Sequence, residues 1–578
     1  MSPPTKPDGR VRCRLSRQVD AIRGSERFVL ERGSTPTSFH NMLSDRRLFL
    51  TRSARLASLA ALAAAFPAAM IGRTANDRLL ADPASYPFKL GVASGSPRPT
   101  SVVLWTRLLG APLDPAPFAE GPLTVRWEVA EDVNFKRIAR KGTAAALPEL
   151  AHSVHVDADG LRPDRWYWFR FMLGDAVSPA ARTRTAPAYD ALPDRLRFAF
   201  ASCQHWEFGA YGAHRHIAAA APDLIAFLGD YIYEWGPYDL AHPSEARTRD
   251  AESFTLQDYR LRYAQYKTDP HLQAAHHAAP WIVTWDDHEV ANDYGGDRDE
   301  RRAANFLARR AAAYQAFYEH MPVRLAPLPD IDHRFAFMRL YERYDWGRLV
   351  RFHVLDNRQY RSYQACQSAD QGGSTSVTAS CAERLQSDRS MLGRAQEAWL
   401  SEGLAGSTAR WNILAQQTLM AQSSQTPVHE EGGGRFWTDG WDGYPAARTR
   451  LLDDIAQYRP GNPLVLSGDV HTFYATELRR DFYRPAGKDN PVLATEFCST
   501  SVTSSSRPQA RTERYLADNP HIKFGRSDRR GYTLMEVTPR RTVALFQALD
   551  DVQDAGTGIT TLASFAVEDG RAGVVRVD

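Results

Sequence analysis

Cysteine is scarce in this chain, five residues in 578, so a small fold held together by disulfides is excluded. No P-loop pattern occurs anywhere, which removes nucleotide hydrolysis of that kind. A Gly-x-Ser-x-Gly elbow is missing around the serine-rich stretch 500–506, so a serine nucleophile there is set aside. There is no internal repeat and no long low-complexity segment. Beyond residue 72 no apolar run approaches the roughly 20 residues that a membrane helix needs. A basic surplus is also lacking. The formal net charge is +3, but thirteen Lys and Arg against five Asp and Glu before residue 76 put +8 there and leave the remainder at −5. A mildly acidic body argues against a nucleic-acid partner, because phosphate backbones are held by surplus Lys and Arg.

What the first 75 residues do contain resembles a twin-arginine export signal. Ser44, Asp45, Arg46, Arg47, Leu48, Phe49 and Leu50 lead into an Ala-rich apolar stretch over 56–72, interrupted by Pro67. Met42 stands where such signals usually begin. The resemblance implies passage through the Tat translocase as a folded protein, commonly with its metal already inserted. It also implies a periplasmic or secreted location with no permanent membrane span. Cys13 leaves with the signal. Cys366 and Cys381 flank a polar loop, and an oxidising compartment permits a bridge of about 3 kcal/mol there. Cys203 and Cys498 are either a second bridge or two buried thiols.

The remainder divides by texture. Residues 76–190 alternate apolar with polar as half-buried strands do, over 102–105, 123–129 and 152–156. The stretch 161–171 resembles the corner and following strand of a fibronectin type III domain, so an all-β fibronectin/Ig-like sandwich is expected. From 191 to 578 strands alternate with helices. Strands are expected over 196–201, 224–228, 281–285, 349–355, 411–415 and 464–466, with helices over 211–220, 301–321, 394–404 and 446–458. The tail from 492 returns to β. The expected class is α/β.

Four of these strands end in residue types that bind metal. The tips are Ser202-Cys203-Gln204, Gly229-Asp230 with Tyr233 and Glu234, Asp286-Asp287-His288-Glu289 with Asn292, and Gly468-Asp469-Val470-His471. A lone Gly-Asp is usually a turn or a helix cap. Four such tips together imply a metal site at the carboxyl ends of a sheet. Cys203, Tyr233 and His471 suit a Lewis-acidic ion such as iron, whereas Asp287, Asn292 and Asp469 suit a hard ion such as calcium or manganese. Asp230 can bridge the two. Adjacent cations would bind a phosphate ester and generate hydroxide from water, with His288 protonating the leaving oxygen or holding a phosphate oxygen.

In their order these motifs resemble the alkaline phosphatase D (PhoD) family of the calcineurin-like metallophosphatase superfamily, over roughly residues 86–578. The resemblance implies a two-sheet sandwich flanked by helices, preceded by the β-sandwich domain. It implies a phosphomonoesterase that also cleaves phosphodiesters, with one Fe3+ and two Ca2+ ions. Cys203, Asp230, Tyr233 and His471 would hold iron, and Asp230, Asp287, Asn292 and Asp469 would surround calcium. A ligand thiolate at Cys203 leaves Cys498 free. Many relatives carry a C-terminal helix over the site, but residues 563–570 read as a strand, so the pocket should be more open. His205 is either packing or support for a ligand. Arg358 and Arg361 either clamp phosphate or, for Arg358, pair with Asp356 to fix a loop. Two alternatives stand beside hydrolysis of small phosphate esters: phospholipase D-like cleavage of lipid head groups, and a non-enzymatic extracellular binding module.

Overall fold

Alternation inside the central strands decides how the molecule is layered. In Leu196–Ala201, Leu196, Phe198 and Phe200 enter one core, while Ala199 and Ala201 enter another. Leu224–Phe227 repeats the division, with Leu224 and Ala226 set against Ile225 and Phe227. Strands apolar on both faces must be covered on both. The computed structural model, which describes residues 86–111, 114–236, 251–324, 335–428 and 433–578, covers one face with a second sheet and the other with helices.

The first sheet has ten strands. Leu196–Ala201, Leu224–Phe227 and Trp281–Val283 lie parallel at its centre, and the C-terminal strands Gly531–Val537, Arg541–Leu549, Ile559–Glu568 and Arg571–Arg576 extend one side. The second has seven strands, with Val350–Val354, Trp411–Ala415, Pro463–Ser467 and Ala494–Cys498 parallel at its centre. Phe352, Ile413, Leu464 and Phe497 meet Phe198, Phe200 and Phe546 between the sheets. Helices Gly212–Ala220, Leu256–Lys267, Pro270–Ala278 and Phe306–His320 cover the outer face of the first sheet. Arg394–Ala405 and Pro445–Tyr458 cover the second. Residues 563–568 belong to the strand Ile559–Glu568 rather than to a helix, as expected.

The N-terminal region does not close on itself. Val92–Gly95, Val102–Arg107 and Ser153–Ala158 continue the ten-stranded sheet through the parallel pair Gly95↔Trp281, and a separate five-stranded sheet packs over them. The sandwich therefore borrows one of its layers from the catalytic sheet. Its corner is locked where Tyr167 Oη accepts the Arg162 N–H at 2.9 Å, a tyrosine-corner bond.

Three helices were not anticipated. Leu256–Lys267 buries Tyr259, Tyr263 and Tyr266 in place of aliphatics, and Gln509–Asp518 buries only Thr512 and Tyr515, so both look polar in sequence. Pro270–Ala278 is too short to show a clear period. The helix expected over 301–321 starts only at Phe306, because Asp299 Oδ1 accepts the Ala303 N–H at 2.8 Å and holds a turn there. Cys366 and Cys381 form a disulfide, while Cys203 and Cys498 are buried free thiols. Arg46, Arg47 and Met42 lie outside the described residues, and no helix among those described is long and apolar enough to cross a membrane.

Candidate metal centre and active site

The parallel strands of both sheets end at one edge, and the backbone there is held in a rarely used conformation. Cys203, Asp230, Asp469 and His471 have φ of 61°, 56°, 59° and 53°. Left-handed backbone is uncommon outside glycine, costs of order 1–3 kcal/mol and collects at functional sites. At Gly229, φ is 106° and a Cβ would lie 2.5 Å from Asp286 Cβ, so only glycine lets the second and third tips approach. The tips are laced together by main-chain bonds: Cys203 N–H to Gly229 O at 3.1 Å and Gln204 N–H to Asp230 O at 3.0 Å. Glu289 completes the lacing. Its buried carboxylate accepts the N–H groups of Asp230 at 3.0 Å, Tyr231 at 2.6 Å and Asp286 at 2.8 Å.

The result is a set of ligand atoms gathered around Asp230. Cys203, Asp230 and His471 form one group whose ligand atoms lie within 4.8 Å of one another, and Asp230, Asp287 and His288 form another. Tyr233 Oη donates to Asp230 Oδ2 at 3.0 Å and lies 3.5 Å from His471 Nε2. Asn292 and Asp469 line the same cavity, though neither falls within those groups. Asn292 Nδ2 donates to Glu300 at 3.1 Å, which leaves Oδ1 as its ligand atom. His471 Nδ1 donates to the Ser505 carbonyl at 2.6 Å, fixing the tautomer whose Nε2 lone pair is free to bind a metal. His288 Nδ1 donates to Glu234 Oε2 at 2.8 Å, and its ring stacks on Tyr233 with centroids 4.1 Å apart.

The electrostatics fit cations. Asp230 Oδ1 and Asp469 Oδ2 are buried with no hydrogen-bond partner on the protein. Burial pushes both carboxyls well above their usual range, as it does the Cys203 thiol and the Tyr233 phenol, each with the Asp230 charge adding to the rise. His471 is lowered to about 3 by burial and then by Arg530, so it is a neutral imidazole. For His288, burial alone would lower the pKa, but the charges of Asp287, Glu234 and Asp230 reverse this and hold it well above the ordinary value. Orphaned carboxylate oxygens and a neutral imidazole beside a thiol and a phenol are the donor set of a metal centre.

Arg358 is a correction. It pairs not with Asp356 but with Asp286 and, at 2.7 Å, with Asp439, and it is fully buried, so it clamps no substrate phosphate. Arg361 is buried as well and holds Asp439 from the other side at 2.7 Å. Asp356 Oδ1 instead accepts the N–H groups of Arg358 and Gln359, both at 3.0 Å. His205 is buried, with its ring stacked on Phe208 at 3.8 Å. The serine-rich stretch acts through its contacts with the ligands: Ser504 Oγ donates to Tyr233 Oη at 2.7 Å, and Ser505 holds His471. Glu234, Glu289, Ser504 and Asp439 were not assigned from sequence. The two glutamates sit inside the motifs and carried that signal, whereas Asp439 carried none.

Glu289→Gln retains one acceptor oxygen for three donors, and an unsatisfied buried N–H costs about 1–3 kcal/mol. Loss of such a supporting group is expected to lower activity by about 10–100-fold. Denaturant unfolding and steady-state kinetics on the same preparation check both effects.

The cavity containing Asp230, His288 and His471 measures about 530 Å³. A larger one, about 990 Å³, lies at the amino ends of the Trp411–Ala415 and Pro463–Ser467 strands and holds no candidate metal group among the described residues, so the smaller cavity is the candidate site. Two stacked sheets with thiol, carboxylate and imidazole groups at their carboxyl-end tips define a phosphoesterase of the metallophosphatase type. The chain belongs to the PhoD-like phosphatase family, matching it over residues 198–546 and matching the family's N-terminal domain over 73–187. It is 42% identical over 554 residues to alkaline phosphatase D of Bacillus subtilis (strain 168), covering 93% of this chain and 90% of that relative. A solved structure of PhoD aligns with a TM-score of 0.79 at 44% identity, covering 85% of this chain and 92% of the other. The protein is thus an alkaline phosphatase D-like phosphoric ester hydrolase. A purely adhesive module is set aside.

Proposed function

We propose that the chain is an exported, metal-dependent phosphomonoesterase and phosphodiesterase, with iron held by Cys203, Asp230, Tyr233 and His471 and calcium by Asp230, Asp287, Asn292 and Asp469. The observation that carries this reading is Asp230, the one residue common to the thiol–imidazole group and the carboxylate–His288 group. Cations bound there would supply Lewis acidity toward phosphoryl oxygens and make water a nucleophile at neutral pH. The protein's own part is positional. Buried strand tips exclude bulk water, and Ser504 and Ser505 fix the Tyr233 and His471 side chains. His288, anchored through Nδ1 on Glu234, keeps Nε2 for proton delivery to the departing oxygen. The chain is organised as residues 1–75 for export, 76–190 as the N-terminal β region and 191–578 as the catalytic region.

Three measurements test this. His288→Ala is expected to lower kcat by about 10²–10⁴-fold on an alkyl phosphate, and by much less on a nitrophenyl phosphate, whose leaving group needs no proton. An equal loss on both substrates would remove His288 from the proton-transfer role. Metal analysis of active protein should find iron and calcium together. For export, Arg46→Lys with Arg47→Lys should retain the enzyme in the cytoplasm on cell fractionation, and unaltered secretion would defeat the twin-arginine route.

A further inference from the structure

The segment closed by Cys366 and Cys381 stands apart from the large sheets. Its strand Ser376–Val377 pairs only with Phe436–Trp437, Ser376 lying opposite Trp437. A two-stranded ribbon this short does not hold itself. The disulfide closes it. Thr375 N–H donates to Thr438 Oγ1 and Thr438 N–H to Thr375 O, both at 2.9 Å. Arg302 holds the carbonyls of Ser368 at 2.7 Å and Ala369 at 2.6 Å. The arm also reaches the site, because Ser374 N–H donates to Asp293 Oδ2 at 3.1 Å and Asp293 N–H donates to Asp287 Oδ2 at 2.7 Å.

One residue of the arm and one of its partner strand line the active cavity. Ser376 and the half-buried Trp437 stand in the wall of the pocket that holds Asp230 and His288, with Gln425 Nε2 donating to Ser376 Oγ at 3.0 Å. A cavity of about 530 Å³ is far larger than a phosphoryl group, so part of its wall must face the alcohol portion of the ester. An indole beside a hydroxyl–amide pair suits a flat ring with a polar edge, which stacks on one and hydrogen-bonds to the other.

Resting on the phosphoesterase reading above, we propose that this disulfide-closed arm and the Phe436–Trp437 strand paired with it form the leaving-group subsite. Trp437 stacks against a flat, polar-edged alcohol such as a nucleoside, Ser376 and Gln425 meet its edge, and the Cys366–Cys381 bond positions all three. The arm selects among esters and takes no part in phosphoryl transfer.

The test compares adenosine 5′-monophosphate with glycerol phosphate, using metal-loaded enzyme. For the native protein treated with a phosphine reductant, and for the Cys366→Ser/Cys381→Ser variant, the ratio of kcat/KM for nucleotide over glycerol phosphate should fall about tenfold, the change lying in the nucleotide KM. Trp437→Leu should reproduce the fall, and Trp437→Phe should recover most of it, which a merely structural indole would not do. An unchanged ratio after reduction, or equal losses for Leu and Phe, overturns the proposal. Loss of turnover on both esters in untreated, metal-loaded enzyme would instead overturn the underlying phosphoesterase reading. Reduction of the folded native protein keeps the test valid if the cysteine variant fails to fold.

Discussion

Asp230→Asn is expected to lower kcat/KM toward a chromogenic phosphate ester by at least about 10³-fold. The side chain keeps its shape and one oxygen for the Tyr233 hydroxyl, but it loses the charge shared by the two ligand groups. Metal ions supply several kcal/mol of transition-state stabilisation, and each 1.36 kcal/mol is a factor of ten in rate. Cys203→Ser changes a ligand in only one of those groups, so a smaller loss, selective for bound iron, is expected. The fold should survive either change. The Asp230 main chain is held by Glu289 and by Gln204, neither of which depends on the carboxylate. Metal content and kinetics measured on the same preparations decide the matter, and an Asp230→Asn enzyme keeping more than about a tenth of its rate would remove Asp230 from the centre of the site.

The strand tips that converge at the candidate site were legible because each is a local pattern, a short apolar run that ends in residues able to bind metal. Leu196–Ala201 and Trp411–Ala415 have the bounds that their apolar runs suggested, for the same reason. Long-range partners left no such mark. Arg358 lies beside Asp356 in sequence, yet its carboxylates come from Asp286 and Asp439, 72 and 81 positions away. The N-terminal strands alternate like an independent sandwich, and nothing local announces that Gly95 will pair with Trp281. Tyrosine caused a different error. Tyr259, Tyr263 and Tyr266 are fully buried, but a hydroxyl-bearing helix face looks amphipathic only once its core is known. The serine stretch 500–506 was set aside as a nucleophile, but its supporting role could not be assigned because its composition is visible in sequence and its contacts are not. In the fold it fixes two ligand side chains.

Chelation should both abolish turnover and make stability fall as pH rises. Stripped of cations, the site keeps buried Asp230, Asp286 and Glu289 close to half-buried Asp293 and Asp469. Burial, with neighbouring carboxylates adding to it, raises Asp286 to about 6, Asp293 to about 7 and Glu289 to about 8. A carboxyl whose folded value lies above its unfolded value adds stability while it is protonated, and that stability is lost as pH rises through the folded value. Each such group is worth about 1.4 kcal/mol per pH unit in which the folded chain alone holds the proton. The chelated protein should therefore lose stability from about pH 4, where the unfolded carboxyls ionise, up to about pH 8, where the last of the three folded ones does. Bound cations compensate the same charges, so the untreated protein should melt at a higher temperature and change little across that window. Adding calcium and ferric iron back should restore both the melting temperature and the activity. Thermal melts at several pH values, with and without chelator, give the answer. A chelated protein that grows more stable from pH 6 to 8 would mean that the carboxylates around Asp230 carry no such burden, and the case for a multi-cation centre would fall with it.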